Sequence, residues 1–486
     1  MTSPSLVASR WPAQYIWVSA GCLALAAGIG GATPLRPRLM LVAVLCLAVF
    51  SIVSLRPQLG AYLIIGITPL VGGVDRGNAI PLLRPSEALA LAVGAALLAG
   101  ALIRQRTGSA RPIRLSPIEA TLVAMAVCNS VVPMAWMTAR GEAITKDDLL
   151  YALVMWKFAG IYLIVRVSVT TIKQATRCLW ISVGAASIVG TVAILQSLHK
   201  FGVAQLLATY YVPDEAGSTF TSSRGSSTLA LPAATADLMI YNLAVVAGLW
   251  IVFPRRRPLL AVLGALFVLG SLSSGEFSSA IGLVVAICAI AFVTSYPRLL
   301  SIFIPIAGAA FIVLRPVIAT RLEGFQSLSG LPVSWTGRLA NLHNYFWPKL
   351  FSDWNYLLGV RPSARVPVAY QITGYVWIES GYTWLLWGGG IPLFLSFCYF
   401  VVAALRSSWQ SVRVSRHPLN VAALAAFVSV IVMTVLMIFD PHLTYRGAAE
   451  EMFALLALAH VWELHRPEQR PSLMEVETHR KWGVSP

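Results

Sequence analysis

The residues able to do chemistry in this chain are carboxylates and arginines, and they gather in four polar places. The first is Tyr210-Tyr-Val-Pro-Asp-Glu-Ala-Gly-Ser-Thr-Phe-Thr-Ser-Ser-Arg224-Gly-Ser-Ser-Thr, hydroxyl-rich around one arginine. The second is the short turn Ser273-Ser-Gly-Glu276. The third is a long polar stretch from about Arg315 to Gly374 with Arg315, Arg321, Arg338, Arg361 and Arg365, continuing into Tyr375-Val-Trp-Ile-Glu379-Ser-Gly-Tyr382. The fourth is Asp440-Pro-His442-Leu-Thr-Tyr-Arg446. Arginine suits a phosphate or diphosphate because its planar fork donates two parallel hydrogen bonds and keeps its charge at any accessible pH. The alternative is that these arginines anchor loops to lipid headgroups or to nearby acids such as Asp353 in pairs of little worth.

Glu379 stands apart because an apolar run is already beginning around it, with Trp377, Tyr382 and Trp384 as neighbours. A carboxylate at membrane depth is costly and marks a functional cavity by default. That makes it the candidate general base for removing a proton from a hydroxyl. Asp237 and Glu276 fall at the ends of apolar spans, where a carboxylate can cap a helix N-terminus. Tyr382 and His442 are further candidates by proximity. His343 and His442 have no companion at metal-ligand spacing, so neither a metal site nor a cofactor is expected. The six cysteines all fall within or at the edges of apolar spans, which indicates neither a disulfide framework nor a thiolate metal site.

The elements that must position these groups are membrane helices. Of the 486 residues 57% are hydrophobic and only 12% charged, with a mean hydropathy of +0.74, which excludes a water-soluble domain. Apolar stretches of spanning length are expected near residues 14–30, 39–55, 59–74, 86–103, 117–137, 149–168, 176–198, 233–253, 258–273, 277–295, 298–314, 377–405, 420–439 and 448–464. The chain then divides into helices over 1–314, a large outer loop over 315–376, three more helices over 377–464 and a tail over 465–486. That loop, the one sizeable polar segment, is expected to carry most of the chemistry. The fold class is an all-α polytopic membrane protein of about 14 helices.

The net charge of +16 does not point to nucleic acid, because the cations sit in short clusters between spans. With the N-terminus inside, about 19 cations fall in inner segments against about nine in the outer loops other than the long one. Both termini are thus expected in the cytoplasm and the long loop outside. Gly388, Gly389 and Gly390 interrupt the long span at 377–405, through close helix packing or through a bend lining a cavity. Lys157 lies inside a span and is expected to snorkel or to pair with a carboxylate of a neighbouring helix.

Thr336-Gly-Arg338, Leu358-Gly-Val-Arg361, Ile378-Glu-Ser-Gly-Tyr382 and Gly390-Ile-Pro together resemble the outer loop of bacterial O-antigen polymerases and O-antigen ligases. The resemblance implies a GT-C-like fold in the bacterial inner membrane. It also implies metal-independent inverting transfer, at the outer face, of an undecaprenyl-diphosphate-linked glycan onto an acceptor repeat unit. Arg224 and Arg338 would then bind the diphosphate and Glu379 would activate the acceptor; Arg361 and Arg446 join the diphosphate set by position and charge. The chain has Glu379 where ligases have histidine, which favours a polymerase. It has Ser274-Gly275-Glu276-Phe277 where many members have Ser-Arg, and Leu231-Pro-Ala where many have Asn-Pro-Asn. Its first outer loop, Gly31 to Arg38, lacks the acidic pair of metal-aided polyprenyl-sugar transferases. The implied partners are the lipid-linked donor and acceptor, membrane lipid and a chain-length regulator protein. A transferase of the ligase type, a lipid-linked oligosaccharide flippase and a partner-organising membrane subunit are the competing readings.

Overall fold

The computed structural model describes residues 37–76, 83–106, 116–211, 224–294, 333–368, 374–412 and 418–460, with a few positions between 305 and 319. The expected spans at 14–30 and 298–314 and the tail at 465–486 lie wholly or mostly outside these residues. Among those described, nine helices are long and apolar enough to cross a membrane, and two shorter apolar helices join them. The chain is a multi-pass, predominantly helical membrane protein.

The helices are α1 (Pro37–Leu55), α2 (Gln58–Val71), α3 (Pro85–Arg106), α4 (Pro117–Ala139), α5 (Lys146–Ser168), α6 (Ile172–Ser197), the short α7 (Val203–Tyr210), α8 (Pro232–Val252), α9 (Arg257–Ser273) and α10 (Phe277–Thr294). The described part of the third polar stretch folds into α11 (Val333–Asn341), a π turn at Leu342–Phe346, α12 (Trp347–Phe351) and α13 (Asn355–Leu358). A two-stranded antiparallel hairpin follows, β1 (Arg365–Pro367) with β2 (Tyr375–Trp377), and then α14 (Gly381–Val412), α15 (Pro418–Leu436) and α16 (Ala448–His460).

Helix starts are written locally. Ser116 with Glu119, Thr145 with Asp148 and Thr171 with Gln174 form capping boxes at the heads of α4, α5 and α6, satisfying amide groups that no water would reach deeper in the bilayer. The centre of the bundle is set by small residues. In α8, 83% of the most apolar window is buried, and in α15, 72%, against 22% in α3. Alanines and Gly248 on α8 meet the alanine-rich face of α15, where a Cβ on Gly248 would lie 2.9 Å from Val421 Cγ1. Such stripes let helices approach closely where lipid supplies no hydrophobic drive.

The glycine triplet serves close packing and also bends the helix. Gly389 presses on the Cys128 carbonyl of α4 and Gly390 on the Leu357 carbonyl of α13, with no room for a side chain at either. Gly390 also adopts φ 64° and ψ −157°, which breaks α14 into a stub, Gly381–Gly389, and a long membrane helix. The Trp387 carbonyl, released near the break, accepts from the Val360 amide at 2.7 Å and the Arg361 amide at 3.3 Å. The expected span beginning at Trp377 is therefore corrected: Tyr375–Trp377 is a strand, Ile378–Ser380 is irregular, and helix starts at Gly381. The hairpin is a small addition to an otherwise helical chain, in keeping with the all-α polytopic class expected.

Candidate functional site

A cavity of about 650 Å³ opens at the end of the bundle where α3, α5, α8, α14 and α16 begin. Its wall is built from short connections and helix ends: Asp75, Arg76 and Arg84 between α2 and α3, with Glu87 on α3; Lys146 to Lys157 along α5; the hairpin; and Asp440 to Arg446 between α15 and α16. Among the described lining residues the long polar loop at 315–376 contributes Asn341, Ala364, Arg365, Tyr375 and Val376, and helix ends and other connections contribute the rest.

The hairpin register explains one wall. Strand side chains alternate, so Val366 and Val376 point into the core, at 6% and 5% exposure. Arg365, Tyr375 and Trp377 then share the opposite, cavity-facing side. Arg365 faces Trp377 directly across the ladder, its guanidinium 4.2 Å from the Trp377 ring centre and 4.6 Å from that of Tyr375. Asp147 pairs with it at 3.5 Å. The result is a rigid aromatic and cationic panel.

Opposite charges meet at Glu379. Its carboxylate accepts from Asn341 Nδ2 at 3.1 Å and lies 3.7 Å from Arg338 Nε, while Arg338 Nη1 donates to Asp440 at 2.6 Å. Glu379 keeps 30% of its side chain exposed and Asp440 9%. Arg76 makes a two-pronged pair with Glu87, at 2.7 and 3.3 Å. At the floor, Lys157 holds Glu450 at 2.7 Å, and Glu450 also accepts from the Gly447 amide. Lys157 is the twelfth residue of α5, about 16 Å from its start at 1.5 Å per residue, yet it meets the first turn of α16. The Asp440–Gly447 segment therefore dips deep into the bundle and gives the cavity its depth.

Below Lys157 the bundle is closed by aromatic packing. Phe158 stacks on Phe453 at 5.1 Å, Phe400 packs on Phe453 at 5.7 Å, and all three are fully buried.

The residues singled out from the sequence divide into two groups. Glu379, Arg446, Arg365, Lys157 and, through its contacts with Glu379 and Asp440, Arg338 belong to the cavity. Arg361, Arg224, Glu276, Tyr382, Asp237 and His442 do not line it, and Arg321 lies outside the described residues. Arg361 grips the fully buried Asp148 with Nε at 3.1 Å and Nη2 at 3.0 Å. Arg224 is paired with Glu276, and the Gly225 amide donates to the Ser273 carbonyl, so this arginine sits at the α9–α10 turn. Tyr382 donates its hydroxyl to the Thr434 carbonyl of α15 at 2.8 Å. Asp237 is no cap: it lies in the second turn of α8, fully buried, sharing a 2.7 Å hydrogen bond with His442, which is also buried. That pair tethers the segment whose neighbours Asp440, Thr444, Tyr445 and Arg446 face the cavity.

Sequence reasoning missed Arg76, Arg84, Glu87, Lys146 and Glu450. One signal was legible: Lys157 within a span and Glu450 at the head of another are opposite charges that each need a partner in lipid. Among the described residues no group of three or more histidine, cysteine or acidic side chains comes together to hold a metal ion. Comparison with protein families, curated proteins and solved structures finds no match for the chain.

Proposed function

We propose that the protein is a polysaccharide polymerase that transfers an undecaprenyl-diphosphate-linked glycan onto an acceptor repeat unit at the outer face of the bacterial inner membrane, both termini being cytoplasmic. The observation that carries the reading is Glu379, partly exposed in a cation-lined and aromatic-lined cavity within about 4 Å of Arg338. In the reaction the acceptor hydroxyl oxygen attacks the anomeric carbon. The new C–O bond forms as the bond to the diphosphate breaks, the diphosphate leaves with the electron pair, and Glu379 takes the hydroxyl proton. Arg338 and Arg446 meet the charge that grows on the leaving group; guanidinium forks suit that task, and no metal ion is required for it. Tyr151, Tyr375 and Trp377, gathered around the Arg365 guanidinium, line the space where sugar rings would lie.

A flippase is the rival favoured by Lys157 and Glu450 at depth. The aromatic closure of Phe158, Phe400 and Phe453 beneath them supports a blind site over a through-path. The test is reconstitution of the purified protein with the host's lipid-linked repeat units, beside the glycan profile of a deletion strain. A polymerase gives lengthened lipid-linked products in vitro and single repeat units in the deletion. Free lipid-linked polymer in the deletion identifies a ligase, and movement of lipid-linked units between leaflets without lengthening identifies a flippase.

A further inference from the structure

The cavity is rich in cations, yet it is close to neutral. Arg76, Lys157, Arg365 and Arg338 each face a carboxylate, from Glu87, Glu450, Asp147 and Asp440 in turn. An incoming diphosphate therefore meets forks already held by the protein's own anions and has to exchange with one of them. The pair best placed for exchange is Arg338 with Asp440. Arg338 is shared between two carboxylates, at 2.6 Å to Asp440 and 3.7 Å to Glu379, and its side chain is 20% exposed beside the open cavity. The pair at Glu87 is a two-pronged one and the pair at Glu450 is tied also to a backbone amide, so each is harder to open.

Building on the proposed polymerase reading, we propose that Asp440 is a built-in competitor for the diphosphate at Arg338, and that substrate binding exchanges Asp440 and Glu379 for diphosphate oxygens on that guanidinium. Two consequences follow from the chemistry. Any phosphate-bearing ligand that uses Arg338 has to displace the Asp440 carboxylate first, which makes Asp440 a residue that limits the affinity of the site. The exchange also draws the Arg338 guanidinium from Glu379 to the donor, so the electrostatics at the base change when a donor is in place. Asp237 and His442, buried behind Asp440, hold its segment in position during the exchange.

The experiment measures binding of farnesyl diphosphate and farnesyl monophosphate to the full-length protein in lipid nanodiscs by calorimetry. Removing a competing charge-assisted contact should tighten diphosphate binding by about tenfold in Asp440→Asn, and by less in Glu379→Gln. Farnesyl monophosphate, which meets the same competitor, should bind more tightly to Asp440→Asn as well. If Asp440→Asn does not fold, tightening in Glu379→Gln decides the matter in the same sense. Unchanged or weaker diphosphate binding in these variants, with binding still lost in Arg338→Ala, overturns the exchange while leaving the polymerase reading standing. Absence of farnesyl diphosphate binding to the wild-type protein overturns both.

Discussion

Arg361 offers the sharpest test of which arginines belong to ligand and which to architecture. Its two donors reach Asp148, which also accepts from the Ser363 amide at 3.2 Å, the Thr145 amide at 2.9 Å and the Thr145 hydroxyl at 2.7 Å. Arg361→Ala removes two contacts from a carboxylate with no access to solvent. Breaking a buried ion pair from one side costs about 3–5 kcal/mol. Two features reduce the figure here: three hydrogen bonds remain on Asp148, and Arg361 is itself 24% exposed. The lower end, about 3 kcal/mol, is the expected loss. Arg361→Lys keeps the charge but cannot span both oxygens, so about half of that loss should persist. The assay is unfolding in mixed micelles of rising denaturing-detergent content, run beside farnesyl diphosphate binding. Stability should fall in both variants while affinity stays within about twofold, as for a residue remote from the ligand. Wild-type unfolding with lost diphosphate affinity would refute the architectural role and return Arg361 to the binding set.

Three other outcomes are expected. Glu379→Gln should lower polymer formation by about 100-fold to 10,000-fold at normal protein level, as for loss of a general base, whereas Glu276→Gln, remote from the cavity, should keep most activity; the reverse result moves the catalytic centre to the α9–α10 turn. Arg338→Lys should impair polymerisation nearly as much as Arg338→Ala, because the fork and not the charge alone is used; full activity in Arg338→Lys argues for a point charge. Reporter fusions after Arg114, Arg257 and Arg416 should read cytoplasmic and fusions near Ser329 external; an external signal after Arg416 would mean that the 377–405 region crosses twice.

Hydropathy alone placed the described apolar helices, most of them to within about four residues, since twenty apolar residues in a row have one stable fate in a bilayer. It also marked the break in α14, because three consecutive glycines have few other uses. The hairpin was illegible: three residues per strand, one of them Pro367, give no periodic signal. For the site, Glu379 was visible as a misplaced carboxylate, but its company was not. Arg338 and Asp440 are separated by 102 positions, and Arg361 and Asp148 by 213. Pairing of that kind is decided by which helices pack together, and charge type says nothing about it. For the same reason Arg224 and Arg361 looked equivalent to Arg338 until packing showed each one committed elsewhere.

The Lys157–Glu450 contact also has a meaning in time. The ribosome delivers α5 to the membrane 293 residues before the counter-ion on α16 exists. A lysine near the middle of an isolated helix raises the cost of insertion by about 2.5–3.5 kcal/mol. Until the last described helix is made, that ammonium has the Glu87 carboxylate of α3 within electrostatic reach but no hydrogen-bonded counter-ion, and its flexible stem can draw it toward the surface. Entry of α16, carrying Glu450 to the same depth, is what ends this provisional arrangement. A chain stopped short of Ala448 thus leaves that lysine without its hydrogen-bonded carboxylate, with the more distant charge of Glu87 on α3 to offset it.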